Sequence, residues 1–188
     1  MFSKGCNTEK SKWSFIEKTL MISTGWDAES SSAWQIFLMK DLFGKALLDY
    51  QNGNYTEDLI TSTSISDEDE LPLPYLFRSY KDMPALEQKA LKLCKGNILD
   101  VGCGSGLHSL YLQEKGLKVK AIDSSKGAIE VAKKRGVLNA ENHALLDETA
   151  TYDTILLLMN GTGIIGSLQE IPAFFDKLKS LLSKNGQV

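Results

Sequence analysis

The sequence predicts an α/β fold, a parallel sheet flanked by helices and preceded by a helical N-terminal segment. Two observations carry this. From Asn97 onward, short apolar runs alternate with helix-like stretches: "NILDV", "GLHSLYLQEKG", "KVKAID", "SSKGAIEVAKKRG". Three glycines at alternate positions, Gly102, Gly104 and Gly106, stand between the first such run and the first such helix. Glycine at that density lets a backbone come close to a ligand, and in open parallel sheets ligands bind beyond the carboxyl ends of the strands.

The elements follow in order. Residues 1–32 are polar and poorly periodic, and are expected to form a poorly ordered arm. Residues 33–83 are expected to be helical, then extended. "AWQIFLMKDLFGKALLDY" carries Phe37, Leu38, Leu42 and Ala46 at helical spacing, and Asn52–Gly53 ends it. The acidic "TSTSISDEDE" reads as a solvated loop, and "ELPLPYLFRSYKDMP" as extended at first because of its prolines. Pro84 opens a helix with Leu86, Ala90 and Cys94 on one face, and residues 84–188 form the main domain. Within it, "NHALL" marks a weak third strand and "YDTILLLMN" a strong fourth. "LQEIPAFFDKLKSLL" is a third helix, and "SKNGQV" leads toward a fifth strand.

Chain-wide features narrow the function. The 188 residues suit one domain, and the formal net charge of −3 argues against a general polyanion binder or an anionic membrane surface. Cys6, Cys94 and Cys103 make no CxxC pair, and His108 and His143 stand alone, so no metal-ligand spacing appears. The N-terminus lacks a signal-peptide core, and the longest apolar run, Ile155 to Met159, is too short to span a bilayer. The chain reads as cytoplasmic.

Two acids frame the glycines. Asp100 lies two residues before Gly102, and Asp123 closes "KVKAID". An acid ending the second strand can accept from both hydroxyls of a ribose. The loop Gly102, Cys103, Gly104, Ser105, Gly106 holds no basic residue. A dinucleotide fingerprint would place a small residue where Leu107 stands, and an acid at position 100 does not suit a pyrophosphate. The combination suits an adenosine carrying a sulfonium and an amino acid.

"ILDVGCGSG" with "VKAID" resembles the first two motifs of class I S-adenosylmethionine-dependent methyltransferases, over about residues 75–188. The resemblance implies a Rossmann-like sheet and S-adenosyl-L-methionine as cofactor. It implies that Asp100 and the glycine loop hold the methionine portion, and that Asp123, with Ser124 beside it, holds the ribose. The polar residue after the third strand would be Asp147, or Ala144 would take its place. Met159 and Asn160 would face the transferred methyl. Nucleic-acid amino-methyltransferases carry Pro-Pro-aromatic there, whereas this chain has Gly161 and Thr162, so a small-molecule substrate is expected and nucleic acid is not. His108 would pack or cap its helix, or contact the cofactor carboxylate. Arg78 would be a surface residue, or pair with that carboxylate.

The family has seven strands ordered 3-2-1-4-5-7-6, and this sequence reaches Val188 where the fifth should begin. The expected sheet is therefore 3-2-1-4, cut off before strand 5, with "TILLLMN" at an open edge. That implies a truncated form of a longer enzyme, or self-association through the exposed edge. Two other functions compete with the methyltransferase: an NAD-dependent oxidoreductase, and a non-catalytic cofactor-binding fragment or interaction module.

Overall fold

The computed structural model describes residues 41–63, 66–159 and 161–188. The predicted arm, residues 1–32, and the first part of the predicted N-terminal helix lie outside them. Helix α1 (Leu42–Gln51) is followed by an antiparallel hairpin of β1 (Leu59–Thr63) and β2 (Ser66–Leu71). Short 3-10 turns at Leu73–Phe77 and Tyr80–Asp82 lead into α2 (Ala85–Leu93). Strand and helix then alternate: β3 (Asn97–Val101), α3 (Leu107–Glu114), β4 (Lys118–Asp123), α4 (Lys126–Lys134), β5 (Ala140–Asn142). After β6 (Tyr152–Leu156), α5 (Ile171–Leu181) leads directly into β7 (Leu182–Gln187).

The main sheet is parallel throughout, ordered β5-β4-β3-β6-β7. Helix α5 covers one face through Phe174, Leu178 and Leu181, packed on Leu99, Val101, Ile122 and Ile155. Helices α2 and α3 cover the other through Leu91, Leu107 and Leu112, packed on Ile98 and Leu156. Helix α4 extends that layer over Ala121 and Ala140 with Ile129 and Ala132. Each fully buried leucine or isoleucine stabilises the fold by about 1.5–3 kcal/mol, so these contacts, rather than helix propensity, hold the layers.

Four sequence expectations are corrected. The acidic stretch after Leu59 is a hairpin, not a loop. Leu59, 5% exposed and paired with Leu71, is anchored in a cluster with Leu47 of α1, and Thr61 donates its hydroxyl to the Asp69 carbonyl at 3.2 Å. The segment after Pro72 winds into 3-10 turns rather than staying extended, since Pro74 suits the start of a helical turn. The third strand, expected near "NHALL", spans Ala140–Asn142 and shares only Asn142 with that stretch, and His143 N–H donates to the Asp123 carbonyl just beyond it.

The fourth correction concerns the sheet edge. Strand β6 is interior, with β3 on one side and β7 on the other. The sheet thus has five strands rather than 3-2-1-4, and the apolar edge invoked for self-association is covered. Strand β7 pairs irregularly, with Tyr152 opposite Leu182 and Thr154 opposite Gln187. Side chains fasten it. Asp153 accepts from Asn97 N–H at 2.9 Å and from the Ser183 hydroxyl at 2.7 Å, and Gln187 donates to the Leu93 carbonyl at 2.6 Å.

An ion-pair network crosses the sheet away from its ligand edge. Lys120 Nζ lies 2.8 Å from buried Glu148 and 3.0 Å from Glu141. Burial opposes charge on Glu148, but Lys120 and the amides of Ala150 and Thr149 outweigh it and hold its carboxyl down at about 2. Because the folded carboxyl titrates below its ordinary value of 4.5, its stabilisation is complete above that pH and is lost as pH falls toward 2. Glu148→Gln should lower unfolding free energy at neutral pH by roughly 3 kcal/mol and flatten the acid dependence between those pH values, as read by urea denaturation across pH.

Candidate functional site

The site grows from the carboxyl ends of β3 and β4. After Val101 the chain turns, and Gly102 N–H and Cys103 N–H both donate to the Ile122 carbonyl, at 2.9 and 3.1 Å. The ladder is thereby carried round the corner. Gly104 adopts φ +53°, and its N–H donates to Asp123 Oδ2 at 2.9 Å. A Cβ on Gly104 would meet only the Phe43 ring, at 3.8 Å, so the loop is an open backbone cradle. Gly106 has another role. It starts α3 at φ +78°, and a Cβ there would lie 2.7 Å from Val137 Cγ2, so this glycine lets the loop seat against α4.

The two predicted acids are both buried and both ordered. Asp123 accepts from Gly104 N–H and, through Oδ1, from Ser125 N–H at 2.8 Å. Burial pushes its carboxyl up, the two amides oppose that, and nearby Asp100 and Asp41 add to the rise. Asp100, 2% exposed, accepts the Ser109 hydroxyl at 2.6 Å. Burial raises its carboxyl too, against the pull of His108 and Ser109.

Not every predicted loop residue points its side chain at the cradle. Cys103 is 4% exposed and packs with Ala121, Ile129 and Ala132, so only its backbone can serve a ligand. Burial raises its thiol well above the ordinary range. Ser105 turns away as well: its hydroxyl donates to the Leu76 carbonyl and accepts from Arg135 Nη1 at 2.7 Å. Ser124 is exposed beside Asp123, and Asp147 is exposed on a 3-10 turn, Leu145–Asp147. Asn160 lies outside the described residues. Met159 follows β6 at φ +52°, the one non-glycine residue with positive φ among those described. A side chain in that region is strained, and such strain gathers at functional edges.

Arg78 and His108 converge on a residue that sequence reasoning passed over. Arg78 Nη2 donates to Glu87, and His108 Nε2 sits 3.1 Å from the same carboxylate oxygen. Arg78 also donates to the Tyr75 carbonyl, lies 3.8 Å over the Tyr75 ring, and reaches Met159 Sδ at 3.5 Å. Its Nε is buried without a partner. Arg78 is therefore a buried residue of the ligand edge, 9% exposed, not a surface arginine.

This pairing also shifts the predicted face of α2. Leu86 is 79% exposed and Glu87 and Leu91 are buried, while Ala90 and Cys94 of the predicted face are half-buried. The sequence signal that could have found Glu87 was its spacing to Leu91 and Cys94, four and seven residues on, which is helical. It was hidden because a glutamate is rarely an inward residue unless paired.

Comparisons with known proteins agree with this geometry. Residues 98–186 match a family described as a methyltransferase domain. Over 105 residues the chain is 35% identical to the ubiquinone biosynthesis O-methyltransferase of Pelagibacter ubique (strain HTCC1062), covering 52% of this chain and 41% of that protein. A crystal structure of an S-adenosylmethionine-dependent methyltransferase from Bacteroides fragilis, in complex with S-adenosyl-L-homocysteine, is 50% identical with a TM-score of 0.74. That match covers 78% of this chain and 62% of the other, so the chain spans less than two thirds of either relative. The glycine cradle and Asp123 both fall inside residues 98–186, the part matched by the methyltransferase-domain family, and over that part the chain is similar to S-adenosylmethionine-dependent methyltransferases.

Proposed function

We propose that this domain binds S-adenosyl-L-methionine and transfers its methyl group to a small-molecule acceptor. The observation that carries the reading is the Gly104–Asp123 hydrogen bond, which joins an open glycine cradle to a buried carboxylate at the ligand edge. The residues fit the cofactor. Asp123 has lone pairs beyond the two already used, for ribose hydroxyls. The buried, unpartnered Arg78 Nε offers a donor for an amino-acid carboxylate, and Asp100 is a buried carboxyl at the end of β3, before the cradle. Arg78 donates to that carboxylate in this reading, while His108, bound to Glu87, helps to hold the arginine. The 50% identity to a protein solved with S-adenosyl-L-homocysteine supports the same assignment.

When bound, the cofactor supplies an activated methyl on a sulfonium, whose departure needs no acid. The work left to the chain is alignment and exclusion of water. The strained Met159 sets the position of the β6 edge, and Asn160 is placed next to it in sequence, so acceptor contacts are assigned to this edge. Residues 84–188 are the cofactor-binding domain in this reading, and residues 33–83 serve as the cofactor lid or the substrate side. The described cysteines, Cys94 and Cys103, carry free thiols, which supports a cytoplasmic setting; no described helix is long and apolar enough to cross a membrane. Calorimetry with S-adenosyl-L-homocysteine and with NAD tests the reading. Binding of the first and not the second is expected, followed by transfer from labelled cofactor in a screen of small nucleophiles.

Three substitutions divide the site. Asp123→Ala should weaken S-adenosyl-L-homocysteine binding about tenfold or more, since hydrogen bonds to a charged acceptor contribute about 1.5–3 kcal/mol each. Affinity unchanged in a folded variant would remove the ribose assignment. Gly104→Val should abolish binding while the protein still folds, because it fills the cradle and forces a valine into φ +53°. Arg78→Lys should weaken S-adenosyl-L-homocysteine noticeably and adenosine much less, because the lost planar fork serves the amino-acid end. Equal weakening of the two ligands would refute the carboxylate role.

A further inference from the structure

Resting on that cofactor reading, we propose that Asp41 is a positioning residue of the cofactor site: its carboxylate bridges the first turns of α1 and α4 and fixes α1 as a wall over the glycine cradle. One carboxylate serves both helices. Asp41 Oδ1 accepts from Gly44 N–H at 2.8 Å, which caps α1. Asp41 Oδ2 accepts from Gly127 N–H and from the Ser125 hydroxyl, each at 2.8 Å, at the start of α4. With its proton directed to Asp41, the Ser125 oxygen accepts from Ala128 N–H at 2.9 Å and caps α4.

The bridge connects to the ligand edge. Ser125 N–H donates to Asp123, which accepts in turn from Gly104 N–H, so the path from α1 to the cradle is Asp41, Ser125, Asp123, Gly104. The backbones touch where the helices cross. A Cβ on Gly127 would lie 2.5 Å from Gly44 C and 2.6 Å from Gly44 Cα. Two residues along from Asp41, the Phe43 ring stands over Gly104. A displaced α1 would therefore open the cradle on that side and take the Asp41 carboxylate from the entry of α4, whose Ser125 N–H donates to Asp123.

Docking of α1 and occupation of the cradle are then linked, and each favours the other to the same extent. Isolated helices of about ten residues are unstable in water, so α1 depends on this contact for its order. The linkage predicts that S-adenosyl-L-homocysteine slows amide exchange in α1, far from any direct hydrogen bond to the ligand.

The test combines calorimetry with S-adenosyl-L-homocysteine and hydrogen exchange over residues 42–51, with and without that ligand. In the unsubstituted protein the ligand should slow exchange in α1 several-fold. Asp41→Ala and Gly127→Ala should each weaken binding about tenfold and abolish that ligand-dependent protection. Gly127→Ala is the sharper variant. Alanine raises helix propensity in α4 and touches no cradle residue, so its effect arises from displacement of α1. Equal exchange of α1 with and without bound ligand, or both variants binding as tightly as the parent, overturns the proposal and leaves the cofactor reading standing. Failure of the parent protein to bind S-adenosyl-L-homocysteine overturns both.

Discussion

The ligand edge depends on one carboxylate. Asp123 ends β4, and its two oxygens receive the amides of Gly104 and Ser125. The first belongs to the loop after β3, the second to the entry of α4. A single side chain thus sets the spacing of two adjacent strand-to-helix connections. The site is costly to maintain without a ligand, since burial disfavours the charge that makes Asp123 a good acceptor. Backbone amides offset part of that cost, and they come from the segments that must be held still. Order in the loop and charge on the acid are therefore two aspects of the same arrangement.

Beside it lies a second buried group of charges, with Arg78 and His108 on Glu87, and Asp100 held by Ser109. Buried ion pairs add little net stability compared with apolar packing, because desolvation consumes most of the attraction. Their presence here is explained by position. Arg78 spans the gap between α2 and the strained Met159, where no apolar residue could present a donor. Glu87 is the counter-charge that permits an arginine at such depth.

The parts legible in the sequence were those fixed by local chemistry. Gly102, Gly104 and Gly106 marked the loop after the first strand, and all three stand there with positive φ. The alternation of apolar runs and helix-like stretches from Asn97 marked β3, α3, β4 and α4, and all four stand there. The parts that were not legible depend on distant partners. Nothing near Glu87 in the chain reveals Arg78, so Leu86 looked like the inward residue of α2. Nothing within "TSTSISDEDE" outweighs its acidity, yet Leu59 and Leu71 hold it as a hairpin against α1. Strand β7 was expected to follow "SKNGQV", whereas that stretch is itself the strand, paired with β6 and tied by side-chain bonds to Asp153 and to the Leu93 carbonyl. The bridging role of Asp41 was invisible for the same reason: Ser125 and Gly127, the partners of its Oδ2, lie beyond position 120.

The placement of β6 in the middle of the sheet bears on how the chain reaches this state. The pairing of β3 with β4 closes a short connection, since Ile98 meets Val119. The pairing of β3 with β6 brings Ile98 to Thr154, across two intervening helices and two strands. Loop closure of that length costs conformational entropy before any contact compensates for it, and such topologies fold slowly. The half containing β3, β4 and β5 can assemble from neighbouring segments, whereas β6 and β7 must add to an existing edge. The cradle and Asp123 belong entirely to the half whose pairings are short in sequence, β3 with β4 and β4 with β5.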